Sequence, residues 1–422
     1  MDRRIYESYV AILRHELVPA LGCTEPIAIA YASAWARREL GCFPEHIVAH
    51  LSGNIIKNVK SVIVPNSGGQ RGIETAAVLG CVGGDPDRAF EVLQGVTEAD
   101  IAKTRELVAT GICETKYVEG KDNLYIRIEM TAGAQSTSVT VEREHTNITQ
   151  VLKNGKEIFH ADAAEDSEAA VDKSLLSVRG ILDFANELDL DDVRPILQRQ
   201  IDLNTAISEE GLRGNYGASV GKVLMDMTGD HIAGRAAARA AAGSDARMNG
   251  CSMPVVINSG SGNQGMTITL PICEFAACWG KSEGTLLRAL ALGNLISVHI
   301  KRHIGSLSAF CGAVSAGCGS ACGIAYMDGA SYDALCMTIT NMLCNVGGIV
   351  CDGAKSSCAA KIASAVEAGV LSYNMAKAGK YFADGEGLAG GDIEKTIQNI
   401  GRMGRVGMQP TDVEILNIMG GK

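Results

Sequence analysis

The stretch NMLCNVGGIVCDGAKSSCAAK, residues 341–361, decides how the C-terminal half of the chain is interpreted. It places Cys344, Cys351 and Cys358 seven residues apart, a spacing that puts side chains on one face of a continuous helix. Paired glycines precede Cys351, however, and Gly353 follows it. Each glycine weakens a helix by about 1 kcal/mol relative to alanine. The sequence therefore predicts a bent or broken helical segment that presents thiols.

A second group of cysteines lies upstream, where Cys311, Cys318 and Cys322 are surrounded by glycine, alanine and serine. Small residues let the backbone approach an iron–sulfur cluster closely. Reduced cysteine also packs in cores as a small apolar residue, so the spacing leaves both cluster binding and plain burial open. The chain contains no CxxC, which excludes a zinc ribbon and a thioredoxin-type motif.

The composition indicates a folded protein of 422 residues with two domains or one large one. A formal charge of -10 and the lack of a basic stripe argue against a nucleic-acid partner. The first residues, MDRRIYESYV, lack the apolar core of a signal peptide, and no uninterrupted apolar run reaches the ~18–20 residues of a membrane span. Ten of the fourteen cysteines lie from Cys251 onward, a distribution that favours reduced thiols. We expect a cytoplasmic protein that does not bind membranes.

The periodicity of apolar residues predicts an α+β fold. An N-terminal mixed α/β domain with a small, largely antiparallel sheet is followed by a mainly α-helical C-terminal domain. The acidic, alanine-rich stretch 161–172 reads as a surface linker. We therefore predict domains at residues 1–165 and 166–422.

Cys23 lies in the sequence LGCTEP, just before an apolar helix predicted at residues 27–35. Pro26 suits the first turn of this helix, and Thr24 or Glu25 suits its cap. A thiol just outside a helix N-terminus has a lowered pKa, because the dipole and free N–H groups stabilise the thiolate. Cys23 is therefore a candidate base or nucleophile, with a buried, inert cysteine as the alternative.

Two glycine-rich loops could bind an anion through backbone N–H groups. The first, residues 65–72, opens a helix near Ile73 and follows the segment 46–64, which we read as strand, turn and strand. The second, residues 258–265, interrupts an otherwise helical half. An ordinary strand-to-helix turn explains the first loop equally well, whereas we favour a binding role for the second.

One basic group precedes Cys311, and it comprises His299, Lys301, Arg302 and His303. These side chains are read as the cationic end of a helix, or as groups that neutralise a cluster or a substrate carboxylate. The sequence leaves both interpretations open.

In combination, several of these motifs resemble the L-cysteine desulfidase family, which is related to the alpha chain of iron–sulfur L-serine dehydratases. The motifs span nearly the whole chain: Gly22-Cys23-Thr24-Glu25-Pro26, the loops 65–72 and 258–265, Gly317-Cys318-Gly319-Ser320-Ala321-Cys322-Gly323, and Cys351-Asp352-Gly353-Ala354-Lys355. The resemblance implies a [4Fe–4S] cluster held by Cys311, Cys351 and Cys358, with one iron open as a Lewis acid. The intervals differ from those of the dehydratases, so Cys344 or Cys318 stays an alternative ligand.

The resemblance also implies the reaction, an α,β-elimination that degrades L-cysteine to hydrogen sulfide, pyruvate and ammonia. Cys23 matches the desulfidase cysteine that acts as base or as a further cluster contact. Residues from the two glycine-rich loops would bind the carboxylate of the amino-acid substrate: Asn66, Ser67, Ser259 and Asn263. Residues from the turn in 46–64 would line the same cleft between the domains: Asn54, Lys57 and Asn58.

Three other functions compete with this interpretation. The first is an L-serine dehydratase that uses the same site. The second is a pyridoxal-phosphate lyase with residues 259–265 as the phosphate loop and Lys57 or Lys355 as the Schiff-base lysine. The third is a non-catalytic metabolite-binding protein whose cysteines only pack. The glycine- and alanine-rich helical half is compatible with a homodimer, which we expect.

Overall fold

The computed structural model describes residues 1–161, 171–305 and 307–421. Most of the linker predicted at 161–172 lies outside these residues. The fold is α+β, as predicted, with the larger sheet in the N-terminal part and mainly helices after it.

The N-terminal part alternates helices with strands before it becomes a meander. Its helices are α1 (Arg3–Glu16), α2 (Thr24–Leu40), α3 (Gly53–Val59), α4 (Ile73–Gly83) and α5 (Glu98–Ala109). Its strands are β1 (Pro19–Leu21), β2 (His46–Leu51), β3 (Cys113–Tyr117), β4 (Tyr125–Ala132), β5 (Gln135–Glu142), β6 (Ile148–Lys153) and β7 (Lys156–His160).

Strands β2 to β7 form one sheet in the order β3-β2-β4-β5-β6-β7. Only the β2–β3 pair is parallel, so the sheet is largely antiparallel, as predicted. The predicted hairpin turn joins β6 to β7 at Asn154 and Gly155, whose φ angles are 50° and 75°. Positive φ at both central residues is the requirement of a type I′ turn, which asparagine and glycine meet.

The segment 46–64 departs from its prediction. Its first half is β2, but residues 53–59 form helix α3 and not a turn and a second strand. The second strand is expected after the turn at residues 54–58, where the β-branched Val59, Val62, Ile63 and Val64 are of the type enriched in strands. Burial on the helix overrides that preference, since Ile55 and Val59 pack in the core.

The C-terminal part is a helical assembly with one short strand, β8 (Pro254–Val256). Its helices are α6 (Val178–Glu187), α7 (Arg194–Arg213), α8 (Val220–Thr228), α9 (Ile232–Met248), α10 (Gly262–Cys278), α11 (Glu283–Ile304), α12 (Ala313–Met327), α13 (Tyr332–Val346), α14 (Cys358–Lys377), α15 (Ile393–Arg402) and α16 (Gln409–Met419). The chain is not helical between α13 and α14, which confirms the break predicted in residues 341–361.

Helix α12 packs against its neighbours through backbone contacts that only glycine permits. A Cβ atom on Gly319 would lie 2.3 Å from the carbonyl oxygen of Gly293 in α11. A Cβ atom on Gly317 would lie 2.8 Å from the carbonyl oxygen of Ala365 in α14. The small residues around Cys318 and Cys322 therefore serve helix packing, and both thiols are fully buried between helices.

The buried apolar side chains form two clusters. One joins α2 and α4 to the six-stranded sheet, and the other joins the C-terminal helices. Helix α1 packs in the second cluster, and β1 pairs antiparallel with β8. The N-terminal segment thus ties the two parts together, while the predicted boundary at 165/166 stays a prediction. None of the helices within the described residues has the length and apolar character needed to cross a membrane.

Candidate functional site

A cavity of about 910 Å³ lies where the two parts of the chain meet. Cys311, Cys351 and Cys358 line it together with Cys23. The sheet-bearing part supplies the start of α2 and the loop after β5. The helical part supplies the end of α9, the start of α10 and the segments that carry the three later cysteines.

Backbone pairing brings two of the three cysteines together. The segments before α12 and after α13 run antiparallel, with a bridge between Phe310 and Val350. The N–H of Cys311 donates to Ile349 O at 2.9 Å, and the N–H of Cys351 donates to Ala309 O at 2.6 Å. Residues forty positions apart in sequence are thereby held side by side.

Cys358 reaches the cavity because the chain turns sharply at Gly353. Gly353 has a φ of 101°, and a Cβ atom there would lie 2.4 Å from the carbonyl oxygen of Lys57. The turn thus packs backbone to backbone against α3. Helix α14 then begins at Cys358, whose Sγ is 3.7 Å from Gly353 O.

The three thiols influence one another's pKa values through hydrogen bonding and electrostatic interaction. Donation by the Cys311 thiol lowers the pKa of Cys351 to about 6, with help from the charges of Lys57 and Lys301. The same hydrogen bond, followed by burial, raises the pKa of Cys311 well above its usual value. Burial raises the pKa of Cys358. Cys351 is therefore the thiolate of the group at neutral pH.

Two buried lysines bring positive charge to Cys351. Lys57 Nζ donates to the Cys351 carbonyl oxygen at 3.2 Å and pairs with Asp412 Oδ1 of α16 at 2.5 Å. Burial lowers the pKa of Lys301 to about 8. The basic group at the end of α11 thus contributes Lys301 and Arg302 to the cavity lining, and the charge of Lys301 acts on Cys351.

The donor set fits an iron–sulfur cluster better than it fits a single ion. Within the described residues, no group of three His, Cys, Asp or Glu side chains is arranged to hold one metal ion. A cluster does not require that arrangement, because each thiolate binds a different iron. Three thiols on one wall, with Lys57 and Lys301 to offset negative charge, suit such a ligand set.

The two cysteines considered as alternative ligands lie elsewhere. Cys318 is buried inside α12 next to Cys322, and Cys344 lies on α13. Neither lines the cavity.

Cys23 lines the cavity, but its electrostatics differ from the prediction. It is itself the N-cap residue of α2, in place of Thr24 or Glu25. Its Sγ donates to Glu25 Oε2 at 2.9 Å. Burial and the charge of Glu25 raise the pKa of Cys23 well above its usual value. The predicted lowering by the helix N-terminus is therefore outweighed, and Cys23 is a protonated thiol.

Glu25 is the centre of a hydrogen-bonded group. Glu25 was not predicted as a functional residue from the sequence. Its carboxylate accepts from Cys23 and from Asn58 Nδ2 at 2.9 Å. Although burial opposes ionisation, nearby His145, the Cys23 thiol and the charge of Arg247 hold the pKa of Glu25 below its usual value. Glu25 is thus a buried carboxylate that faces the cavity.

His145 and Arg247 complete the polar wall, and both were also missed. His145 Nε2 lies 4.0 Å from Glu25 Oε1, and burial lowers the pKa of His145, which keeps the imidazole neutral. Several buried polar atoms of the wall have no hydrogen-bond partner within the described residues: Asn58 Oδ1, His145 Nε2, Arg247 Nε and Asn263 Oδ1. Buried polar groups are normally paired, so this cluster of unpaired atoms is typical of a ligand site.

The predicted substrate-binding residues divide into two groups. Asn58, Ser259 and Asn263 line the cavity, and Lys57 contacts Cys351 from behind it. Three others do not line the cavity: Asn54, Asn66 and Ser67. The loop 65–72 bonds internally and to its neighbours, since Asn66 Nδ2 donates to Leu93 O and Ser67 Oγ to Gln70 O. The structure thus brings only the second glycine-rich loop to the site.

Comparison with known proteins gives the class of this chain. A family model described as serine dehydratase alpha chain matches residues 87–417. The chain belongs to that family.

Similar whole-length relatives are named UPF0597 proteins. The one from Lachnoclostridium phytofermentans is 50% identical over 415 residues, which cover 98% of this chain and 100% of the relative. The one from Desulfitobacterium hafniense is 48% identical, with 99% of this chain and 97% of the relative covered. The one from Vibrio campbellii is 36% identical, with 98% and 99% covered. Similarity therefore extends over the whole chain and includes every segment that builds the cavity.

Proposed function

We propose that this chain is an iron–sulfur lyase that eliminates the β-substituent of a small α-amino acid, with L-cysteine as the substrate. The observation that carries the proposal is the convergence of Cys311, Cys351 and Cys358 on one cavity. Membership of the serine dehydratase alpha chain family supports the same class of reaction, a lyase.

Cys311, Cys351 and Cys358 would hold a [4Fe–4S] cluster in this proposal. With one iron free of protein ligands, such a cluster supplies a soft Lewis acid for a leaving sulfur. Lys57 and Lys301 stabilise the ligand thiolate at Cys351 through their charge. Asp412 holds Lys57 in place from α16.

The reaction removes the α-proton and breaks the Cβ–S bond of L-cysteine. The product aminoacrylate adds water and yields pyruvate and ammonia, and the sulfur leaves as hydrogen sulfide. The α-proton needs an acceptor with an available lone pair near neutral pH. His145 meets this requirement in the tautomer that carries its proton on Nδ1, because its imidazole is neutral and its Nε2 has no hydrogen-bond partner within the described residues.

Cys23 has a different role from the base that the sequence suggested. As a protonated thiol it donates to Glu25 and so fixes the orientation of that carboxylate. We therefore assign proton abstraction to His145 and the positioning of Glu25 to Cys23.

L-Serine dehydration is the second candidate, and the description of the matching family favours it. The same residues would act, with hydroxide in place of thiolate as the leaving group. A direct comparison of the two amino acids as substrates discriminates between the two leaving groups.

Anaerobic reconstitution tests the proposal. The protein is loaded with iron and sulfide, desalted to remove free sulfide, and then given L-cysteine or L-serine while sulfide and pyruvate are measured. We expect both products from L-cysteine, and a loss of at least about 100-fold in Cys351→Ser and Cys358→Ser because each removes a ligand.

Cys42→Ser is the matched control, since Cys42 is an exposed free cysteine outside the cavity. It should retain full activity. If L-serine yields pyruvate and L-cysteine yields no sulfide, the chain is an L-serine dehydratase and not an L-cysteine lyase. Absence of product from either amino acid, or full activity in Cys351→Ser and Cys358→Ser, would refute it.

A further inference from the structure

The cavity lining contains a buried cation that the proposed elimination does not use. Arg247 is only 4% exposed and lines the cavity. Its Nε has no hydrogen-bond partner within the described residues, and none of the ion pairs found there includes Arg247. The charge of Arg247 acts on Glu25 and on Cys358, but no hydrogen bond or ion pair within the described residues joins it to either. Burying a guanidinium without a hydrogen-bonded counter-ion costs roughly several kcal/mol, so an anionic ligand best explains this arrangement.

Arg247 lies beside the N-terminus of α10. A Cβ atom on Gly262, the first residue of α10, would lie 2.5 Å from Arg247 Nε. The first hydrogen bond inside this helix is from Gly265 N to Ser261 O, at 3.1 Å, and the N-cap Ser261 forms no side-chain cap. The N–H groups at the start of α10 are therefore available to an anion, and the helix dipole adds to the charge of Arg247.

A second set of atoms on the same wall accepts hydrogen bonds. Glu25 is a carboxylate, and Asn58 donates to it through Nδ2. This bond fixes the amide orientation of Asn58, because the reverse orientation would place two oxygens in contact. Asn58 Oδ1 consequently remains an acceptor without a partner. A carboxylate next to an unpaired amide oxygen suits a cationic ligand group with several N–H donors.

The two sets are close to each other. Thr24, the neighbour of Glu25, donates through Oγ1 to Gly260 O at 2.9 Å, and Gly260 lies two residues before α10. A Cβ atom on Gly260 would also lie 3.2 Å from Cε1 of His145. One anion-binding and one cation-binding group thus flank the short segment 260–262, a separation that suits a small ligand carrying both charges.

We infer that the cavity recognises its substrate as a free zwitterionic α-amino acid. Arg247 and the N-terminus of α10 bind the α-carboxylate, and Glu25 with Asn58 binds the α-ammonium. Arg247 and Glu25 are therefore specificity-determining residues, which exclude 2-hydroxy acids, N-acylated amino acids and simple amines. The inference rests on the proposed function only in calling the ligand a substrate. Binding of the ligand itself requires no turnover.

L-Alanine separates this inference from the proposed reaction, because it carries both charges but no β leaving group. Equilibrium dialysis with radiolabelled L-alanine, L-lactate and N-acetyl-L-alanine measures binding to the full chain, with and without reconstituted iron. We expect L-alanine to bind at least about 10-fold more tightly than the other two, since a charged hydrogen-bonding partner left unpaired costs this much or more. Equal binding of L-alanine and L-lactate, or no binding of L-alanine, would overturn the inference.

Two substitutions test the two ends of the site separately. Arg247→Gln should weaken the binding of L-alanine about 10- to 100-fold. Glu25→Gln should reduce the preference for L-alanine over L-lactate, a ratio that a purely structural defect would not change. Arg235→Gln is the matched control, because Arg235 pairs with Glu274 away from the cavity. Unchanged L-alanine affinity in Arg247→Gln, or an unchanged ratio in Glu25→Gln, would contradict the assignment.

The outcomes remain distinguishable from those of the lyase test. If neither variant folds, the comparison of the three ligands on the unsubstituted protein still decides the question. Selective L-alanine binding without any elimination would leave the amino-acid site standing and refute the lyase. Elimination with full activity in Arg247→Gln would support the lyase and refute the amino-acid site.

Discussion

Gly353→Ala tests how the thiol-bearing turn is held against α3. Gly353 has a φ of 101°, a region that alanine rarely adopts, and its Cβ would lie 2.4 Å from the carbonyl oxygen of Lys57. Backbone strain of this kind costs about 1–3 kcal/mol, and the overlap with a backbone oxygen adds to it. We expect the contact between the turn and α3 to be weakened by about 2–4 kcal/mol.

Hydrogen–deuterium exchange measures this loss locally. A local destabilisation of 2–4 kcal/mol should speed exchange in residues 347–357 and in α3 by about 30- to 700-fold. Iron bound after anaerobic reconstitution should fall in parallel, because Cys351 and Cys358 flank the turn. Gly348→Ala is the control in the same segment, since a Cβ there meets no atom within 4 Å. If Gly353→Ala and Gly348→Ala show the same hydrogen–deuterium exchange rates and the same iron content, the packing argument for this turn is incorrect.

Three further predictions concern titratable groups that the fold buries wholly or in part. Lys57→Met should lower the free energy of unfolding by about 3–5 kcal/mol, because the largely buried carboxylate of Asp412 loses its counter-ion. The double variant Lys57→Met/Asp412→Asn, which keeps an acceptor for Ala309 N–H, should recover most of this in urea denaturation, and an additive double variant would contradict it. Burial raises the pKa of Asp245 from 3.8 to about 6, so the folded state holds this proton more tightly and loses stability as the pH rises from 4 to 6. Asp245→Asn should remove about 2 kcal/mol of that decline, measured as the difference between urea midpoints at pH 4.5 and pH 7; parallel curves would disprove it. The lowered pKa of His145 predicts that kcat/KM stays constant down to pH 6.5 and falls only below it, as the imidazole gains a proton; a fall centred above pH 6.5 would exclude His145 as the acceptor.

The sequence predicts much of the fold because local signals agree with the tertiary packing. The glycines at 347, 348 and 353 break the helix as expected, and Asn154-Gly155 forms the expected hairpin turn. Helix α3 shows the limit of this approach. Its β-branched residues favour a strand locally, but burial of its helical face against the core decides the outcome.

The thiols were predictable from their resemblance to a known family, whereas most of the polar wall was not. Arg247 follows a run of alanines and resembles a surface position of an ordinary helix. One signal was available, because α9 is rich in alanine and a helix with such small side chains packs closely on all sides. An arginine and an aspartate inside it, Arg247 and Asp245, could have been recognised as buried charges.

The pKa of Cys23 could not be inferred from its position alone. A helix N-terminus lowers the pKa of a thiol, but burial and, after it, the carboxylate of Glu25 raise the pKa of Cys23. The depth of burial and the orientation of Glu25 decide which effect prevails, and the fold fixes that orientation through the hydrogen bond from Asn58. His145 comes from a separate loop after β5 and joins the site only through tertiary contacts.

The iron and acid-labile sulfide content of anaerobically reconstituted protein tests the central claim most directly. We predict about four irons and four sulfides per chain, with a visible spectrum typical of a [4Fe–4S] cluster, and near-complete loss of both in Cys351→Ser/Cys358→Ser. If the unsubstituted protein contains no more iron than the Cys351→Ser/Cys358→Ser double variant, the account is contradicted.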